Sequence, residues 1–321
     1  MADTTTGSGL DQEAQIYYNT VAETRLVTNW CFYPLGKKMK LPKHSGQTYM
    51  FYRYNNIAGS TATIAESTVT AGQVQLSATT TSVAMSLYGQ YITLSQFAEY
   101  SERSKSTLED AVNVLADAAS DTWDINIRAS LNTSLSGAAH FIGQSNTATT
   151  ATILTSDILA PKTLRLINRN FVANKVRMYK DGMAYVGVFS PYQTYDLYSD
   201  TTVLGVASVA AYGNEPQKVW NYERGKLWGI RILENQNCVT TSVTSSTGLT
   251  AYSGYVLGED CFATVSLEGS PIEMIVKGVG SGGTSDPYNN IATVAYKMWA
   301  GVNYLGADGP RGYRVTTAIT G

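Results

Sequence analysis

From residue 106 onward, apolar side chains return at every third or fourth position: Leu108, Val112, Leu115, Ala119, Trp123, Ile127, Leu131 and Leu135, ending before Gly137. That period puts them on one stripe of an α-helix. Ser106-Thr107-Leu108-Glu109 ahead of them has the form of a capping box, in which Ser106 and Glu109 satisfy the first free amides. The pattern predicts a helix over 106–134, ~30 residues or about 45 Å at 1.5 Å per residue, where three turns is usual. A second helix is expected within 11–30 from Ala14, Tyr18, Val21, Leu26 and Trp30. After Pro34, Gly36 and Pro42 the period falls to two. Residues 47–54 alternate as a strand does, with Tyr49, Phe51 and Arg53 on one face. A further strand is expected over 81–94. Beyond 155, Ser156 or Asp157 is placed to cap a helix toward Asn170, with Pro161 in its first turn. Residues 183–189 read as a buried strand and 191–198 as a short helix. The remainder is β-rich, with strands near 227–233, 252–257, 261–267, 272–277, 291–299 and 314–319. These two periodicities define an α+β chain, without an internal repeat or heptad run.

Two stretches lack a clear period. Residues 57–83 hold one charge, Glu66, among Thr, Ser, Ala and Gly, which suits an extended hairpin lying against another surface, since a bare neutral edge invites pairing with another chain. Ile64, Glu66, Val69, Val74 and Leu76 are the residues expected to make that contact. Residues 137–155 are small and uncharged, and mark the candidate boundary between two structural regions.

Composition narrows the function. The 321 residues carry 23 Lys+Arg against 25 Asp+Glu, a net charge of −2, and only 15% are charged, where roughly 25% is usual. A sequence-wide drive toward nucleic acid or anionic membrane is therefore missing, because phosphate binding rests on clustered Lys and Arg. The acidic start, Asp3, Asp11, Glu13 and Glu23 with no basic residue before Arg25, is unlike the basic arms that gather single-stranded genomes. The first ten residues lack the basic start and apolar run of a secretory signal, so the product is expected to stay where it is made. The longest uncharged stretch, 67–98, is too polar to span a membrane. Cys31, Cys238 and Cys261 are odd in number and widely spaced, which predicts buried free thiols.

Chemical motifs are sparse. His44 and His140 stand apart from each other and from any HExxH or GxSxG pattern, which argues against a His-ligated metal, and His44 is expected in a solvated turn. Gly278, Gly280 and Gly283 spell GxGxxG, yet Thr284-Ser285-Asp286-Pro287 follows where a nucleotide-binding helix should run, so a sharp turn is the expectation. Lys162, Arg165, Arg169, Lys175, Arg177 and Lys180 form a basic cluster with no acid between them, the first three at i, i+3 and i+7. A solvated or subunit-facing helix is one reading of that face, and a surface turned toward packaged nucleic acid is another. The sequon Asn132-Thr133-Ser134 falls inside the long helix and is discounted. No cofactor is implied.

Several short runs, in order, resemble the major capsid proteins of tailed bacteriophages, in the branch typified by phage N-four. They are Tyr17-Tyr18; Tyr88-Gly89-Gln90-Tyr91-Ile92-Thr93-Leu94-Ser95; Ser190-Pro191 with Tyr195-Asp196-Leu197 and Asp200; Gly225-Lys226-Leu227-Trp228-Gly229-Ile230-Arg231-Ile232-Leu233-Glu234; Ser285-Asp286-Pro287; and Ala295-Tyr296-Lys297. Tyr288 departs from the Leu common after Asp-Pro in that family.

The resemblance implies the Hong Kong 97-type capsid fold: an N-terminal arm and first helix (1–45), a peripheral domain (46–155) with an extended loop (57–83) and a spine helix (106–134), an axial domain (156–290), and a return to the peripheral sheet (291–321). It implies a non-enzymatic subunit that self-assembles into hexamers and pentamers of an icosahedral shell. The implied partners are its own copies, double-stranded DNA held by enclosure, a portal and decoration proteins, with no membrane, in a virion put together in the host cytoplasm. A low charge density fits such a role, because surfaces that meet copies of themselves avoid the desolvation of many ions. Two alternatives stand beside it: a cellular compartment shell of the same fold, and a Tyr-rich β-protein that binds carbohydrate or hydrolyses with a carboxylate pair.

Overall fold

The computed structural model describes residues 30–55, 57, 59, 75–97, 107–136, 139–143, 153–179, 183–199, 223–242, 250–268, 272–280, 286–306 and 309–318, with residues 17, 20 and 22. In chain order its strands are β1 (Lys37–Leu41), β2 (Thr48–Tyr54), β3 (Ala78–Ala84), β4 (Ser86–Ser95), β5 (His140–Ile142), β6 (Tyr185–Phe189), β7 (Glu223–Leu227), β8 (Ile230–Glu234), β9 (Val239–Ser242), β10 (Thr250–Leu257), β11 (Phe262–Leu267), β12 (Ile272–Lys277), β13 (Ile291–Tyr304) and β14 (Gly312–Ala318). The helices are α1 (Thr107–Ser134), α2 (Pro161–Ala173) and α3 (Pro191–Ser199).

The helical stripe forms as its spacing requires. α1 runs for 28 residues; Val112, Leu115, Ala119, Trp123, Ile127 and Leu131 are buried along it, and Leu135 just past its end. Each such side chain removed from water contributes about 1.5–3 kcal/mol. Ser106 lies outside the described residues, as does most of the helix expected over 11–30; Tyr17, Thr20 and Ala22 are helical, and Ala22 joins the same core.

α1 packs between two sheets. The first has five strands in the order β1-β11-β13-β12, with β4 on the other edge of β13. Along β13, Ala292, Val294, Tyr296, Met298 and Ala300 are buried in alternation, and Val294, Tyr296 and Met298 share one core with Val112, Ala119 and Trp123. The second sheet has seven strands, β5-β14-β10-β6-β8-β7 with β9 paired to β10. Val186, Val188, Tyr255 and Leu257 on one face join the α1 core. Tyr185, Phe189, Ile232 and Val315 on the other pack against Leu164, Ile167 and Phe171 of α2. A sheet covered on both faces needs no polar alternation, which is why β6 reads as an unbroken apolar run.

Several boundaries differ from the sequence reading. The single strand expected over 81–94 is two, because Met85 turns the chain: its side chain is buried and its amide donates to the Gln47 carbonyl at 2.9 Å, so β3 stays with β2 while β4 leaves to pair with β13. The strand expected near 227–233 is the hairpin β7–β8, whose turn places Trp228 and Gly229 at φ 52° and 77°. Two successive positive φ values match the twist of a tight hairpin. The connection 137–155 contains β5, which pairs in parallel with β14. α2 starts at Pro161, not at Ser156 or Asp157, because the residue before a proline is driven out of helical geometry; Ala160 is extended at φ −119°, ψ 153°. Asp157 instead closes the preceding turn, accepting from the Leu154 amide at 2.9 Å. Sheet membership also ignores chain order: β11 and β12 join β1, β4 and β13, whereas β14 belongs to the larger sheet.

Candidate intersubunit surfaces

The hairpin β2–β3 projects from the first sheet. One face, carrying Tyr49, Phe51 and Arg53 as the alternation predicts, turns inward. Phe51 and Val83 are buried at its root with Leu41, Met85, Ala263 and Val265. Gly301 lets the root approach the sheet, since a Cβ there would lie 2.6 Å from the Ala84 carbonyl oxygen. The other face is bare, leaving Met50, Tyr52 and Tyr54 exposed at 56%, 70% and 66%. At the far end Asn55 holds the strands together: its amide donates to the Ser77 carbonyl at 2.9 Å, its Nδ2 to Ser77 Oγ at 3.1 Å, and its Oδ1 accepts from Thr79 Oγ1 at 2.8 Å.

Of the expected contact residues, Leu76 is exposed beside this clamp. Ile64, Glu66, Val69 and Val74 lie outside the described residues. The exposed row Met50, Tyr52 and Tyr54 was missed, although the alternation that turned Phe51 inward already placed them outward. The outer face of the first sheet is mixed: Leu87 and Tyr91 are exposed opposite Trp299 and Ala295, with Thr93, Ser95 and the Lys297–Glu273 ion pair at 2.9 Å beside them.

Lys162, Arg165 and Arg169 share the exposed face of α2. Arg165 lies over the Trp228 ring, 4.8 Å from its centroid, and Arg169 donates to Asn170 Oδ1 at 3.0 Å. Lys175 and Arg177 follow beyond the end of the helix. They line a cleft of about 540 Å³ between the β2–β3 hairpin and the body, with Lys37, Arg53, Arg311 and Asp260 among its other walls. Its cations come from widely separated segments, so no local motif announces it. A second cleft, of about 470 Å³, holds Asp121, Glu223 and Glu234. There Arg224 pairs with Glu234 at 2.6 Å, Arg231 with Glu223 at 3.3 Å, and Asn237 Nδ2 donates to Asp121 Oδ1 at 2.9 Å.

The remaining chemical candidates are structural in their surroundings. Cys31, Cys238 and Cys261 are free and buried, and burial pushes the Cys31 thiol up to about 12. His44 is exposed in a turn at φ 68°. His140 is buried with Nε2 2.7 Å from Thr316 Oγ1, and burial, with the nearby Arg314 guanidinium, lowers it to about 4. Beyond Gly278 and Gly280, residues 286–290 turn directly into β13, not into a helix; Gly283 lies outside the described residues. Among the described residues no cluster of three His, Cys, Asp or Glu could hold a metal, and no helix is long and apolar enough to cross a membrane.

No family model matches the sequence, and no curated protein matches it. At the level of fold, 189 chains of solved structures match. A chain of the capsid of Ralstonia phage GP4 is 16% identical, with a TM-score of 0.70 over 89% of this chain and 88% of that one. A chain of the cyanophage Pam1 capsid is 13% identical at TM-score 0.65, over 90% and 92%. One from the capsid of Helicobacter pylori bacteriophage KHP30 is 11% identical at 0.62, over 88% and 87%. The chain therefore has the mixed α+β fold of phage capsid chains, shared along nearly the whole length on both sides.

Proposed function

We propose that this chain is the major capsid protein of a tailed bacteriophage, a structural subunit without enzymatic activity. The observation that carries the reading is the fold shared with phage capsid chains over about nine-tenths of both partners. The row Met50, Tyr52 and Tyr54 on the bare face of the β2–β3 hairpin supports it, since clustered exposed apolar side chains mark interaction sites. In this reading the chain assembles into hexamers and pentamers of an icosahedral shell around double-stranded DNA, in a virion built in the host cytoplasm, and meets a portal and decoration proteins there.

The resemblance of the sequence runs supports assigning it to the phage N-four type branch, with the Hong Kong 97-type architecture. Residues 1–45 then form the arm and first helix. Residues 46–155 form the peripheral domain, with 57–83 as extended loop and α1 as spine, its sheet completed by β11 and β12. Residues 156–290, apart from β11 and β12, supply the axial domain, and of 291–321 it is β13 that returns to the peripheral sheet, while β14 pairs into the larger one. Ile64, Glu66, Val69, Val74 and Leu76 make the loop contact with the next capsomer. The test is electron microscopy of the purified chain together with analysis of the particle contents. Shells bearing DNA in the phage context support the reading, and shells filled with host proteins would instead indicate a cellular compartment.

A further inference from the structure

Between Asp157 and Asp181 the chain holds six cations and no acid, and three of them, Lys162, Arg165 and Arg169, stand exposed along α2. The fold does not require them there. α2 covers the face of the second sheet turned away from α1 and is held by Leu164, Ile167 and Phe171 on its buried side. Among the described residues, neither Lys162 nor Arg165 has a carboxylate partner, and Arg169 donates to the neutral Asn170 side chain. Like charges three and four positions apart on a helix repel one another, so the row weakens α2 unless an anion lies across it.

The middle cation is held in place. The Arg165 guanidinium lies over the Trp228 ring, 4.8 Å from its centroid, a contact that engages the face of the cation and leaves its in-plane N–H donors for an anion. Trp228 sits at φ 52°, a backbone region unusual for a bulky residue, and such strain gathers where a surface is kept in shape for a ligand. Gly229 brings this turn against α2, since a Cβ there would be 3.7 Å from Asn168 Nδ2. Trp228 Nε1 and Asn168 Oδ1 are buried at the same turn with no hydrogen-bond partner. Buried polar atoms of native proteins are nearly all satisfied, which marks the turn as a place for a ligand or its water.

The spacing selects the ligand. From Lys162 to Arg169 the row runs about 10 Å along the helix, too long for one phosphate and matched to a polyanion such as duplex DNA, with one charge per ~1.7 Å of axis. A convex helix face meets such a rod without a pocket. The acidic cleft that the described residues offer to a neighbouring copy is already paired internally, Glu234 with Arg224, Glu223 with Arg231 and Asp121 with Asn237.

We propose that the Lys162, Arg165 and Arg169 face of α2, braced by Trp228, is a genome-facing surface that binds the phosphates of double-stranded DNA without reading its sequence. It rests on the capsid reading, in which duplex DNA is the polyanion enclosed with the chain.

The test titrates the full-length chain, below the concentration at which particles form, with labelled short DNA duplexes of two unrelated sequences across a salt series. Equal binding of both is expected, with log K falling against log salt at a slope of about −2.7 for three phosphate contacts. Lys162→Gln/Arg165→Gln/Arg169→Gln should weaken binding at least about tenfold and flatten the slope, whereas Lys175→Gln/Arg177→Gln, at the hairpin cleft, should change neither. Trp228→Leu removes the brace but no charge, and should weaken binding a few-fold at an unchanged slope. The triple variant should still assemble with wild-type yield. Duplex binding that ignores the triple substitution would overturn the proposal. Loss of assembly in that variant with an unchanged melting midpoint would overturn it in favour of a contact between copies, and inorganic phosphate that displaces the duplex at equal phosphate concentration would overturn it in favour of a single-anion site. A wild-type chain that assembles but binds no duplex overturns this inference alone. One that binds duplex through the row but never assembles contradicts the capsid reading and leaves the DNA-binding face standing.

Discussion

The carboxylate of Asp124, midway along α1, accepts the backbone amide of Phe32 at 3.2 Å through one oxygen and that of Cys31 at 3.1 Å through the other. The long helix thereby holds the end of the N-terminal segment where it enters the 3₁₀ turn Tyr33–Leu35. Asp124 is 1% exposed, and burial, opposed by those amides, raises its carboxyl from the ordinary 3.8 to about 6.

Because the folded-state value is raised, the contribution of this group is fully present below pH ~3.8 and is lost as the pH rises through about 6. The gap corresponds to about 3 kcal/mol. Denaturant unfolding of the wild type and Asp124→Asn between pH 4 and 7.5 should show the wild type losing about that much relative to the variant as pH rises. Parallel curves would remove Asp124 as the source.

Trp123, one residue earlier, is 1% exposed and packs against Tyr33 with the rings tilted by 57° and their centroids 5.0 Å apart. Trp123→Ala leaves a cavity in the core between α1 and β13 and should cost about 3–5 kcal/mol. A midpoint shift in urea worth less than 1 kcal/mol would mean that the helix is not the centre of that core.

At the hairpin root, Gly301→Ala sets a methyl group against the Ala84 carbonyl. Such overpacking costs about 1–3 kcal/mol. Its expected signature is faster proteolysis within 48–84, with the body protected. Uniform loss of protection along the chain would show that the hairpin is not an independent seat.

On the outer face of the same hairpin, Tyr52→Ser/Tyr54→Ser removes exposed aromatic surface. Monomer stability should stay within about 0.5 kcal/mol, while particle yield falls several-fold, as it should on deletion of residues 59–72. Light scattering that matches the wild type in both variants would refute the docking role of the hairpin.

The three thiols give a simpler check. Buried and with raised pKa values, they should resist a disulfide reagent at pH 8 in the native chain and all react in guanidinium, because only the thiolate attacks. Rapid labelling of the native protein would contradict the core placement of Cys31, Cys238 and Cys261.

Much of the fold was legible where one period ran uninterrupted. The α1 stripe from Val112 to Leu135 and the alternation around Phe51 each depend on a single face meeting a core; the stripe is buried, and on the strand Phe51 is buried between half-buried Tyr49 and Arg53. Failures came where tertiary pairing decides. Nothing local at Met85 says that β3 and β4 belong to different sheets, and β5 is only three residues long, given its place by pairing with β14 from the far end of the chain. Proline at 161 overrode the plausible cap at Asp157. For the surfaces, the i, i+3, i+7 spacing did bring Lys162, Arg165 and Arg169 to one exposed face. The cleft around Arg177 could not be seen in the same way, because Lys37, Arg53 and Arg311 meet it only through folding.

The most direct measurement is negative-stain electron microscopy of the purified wild-type chain across a concentration series. Capsomers and closed shells of uniform diameter are the expected result. A strictly monomeric species at the highest concentration, by microscopy and by sedimentation alike, would contradict the assignment as a capsid subunit.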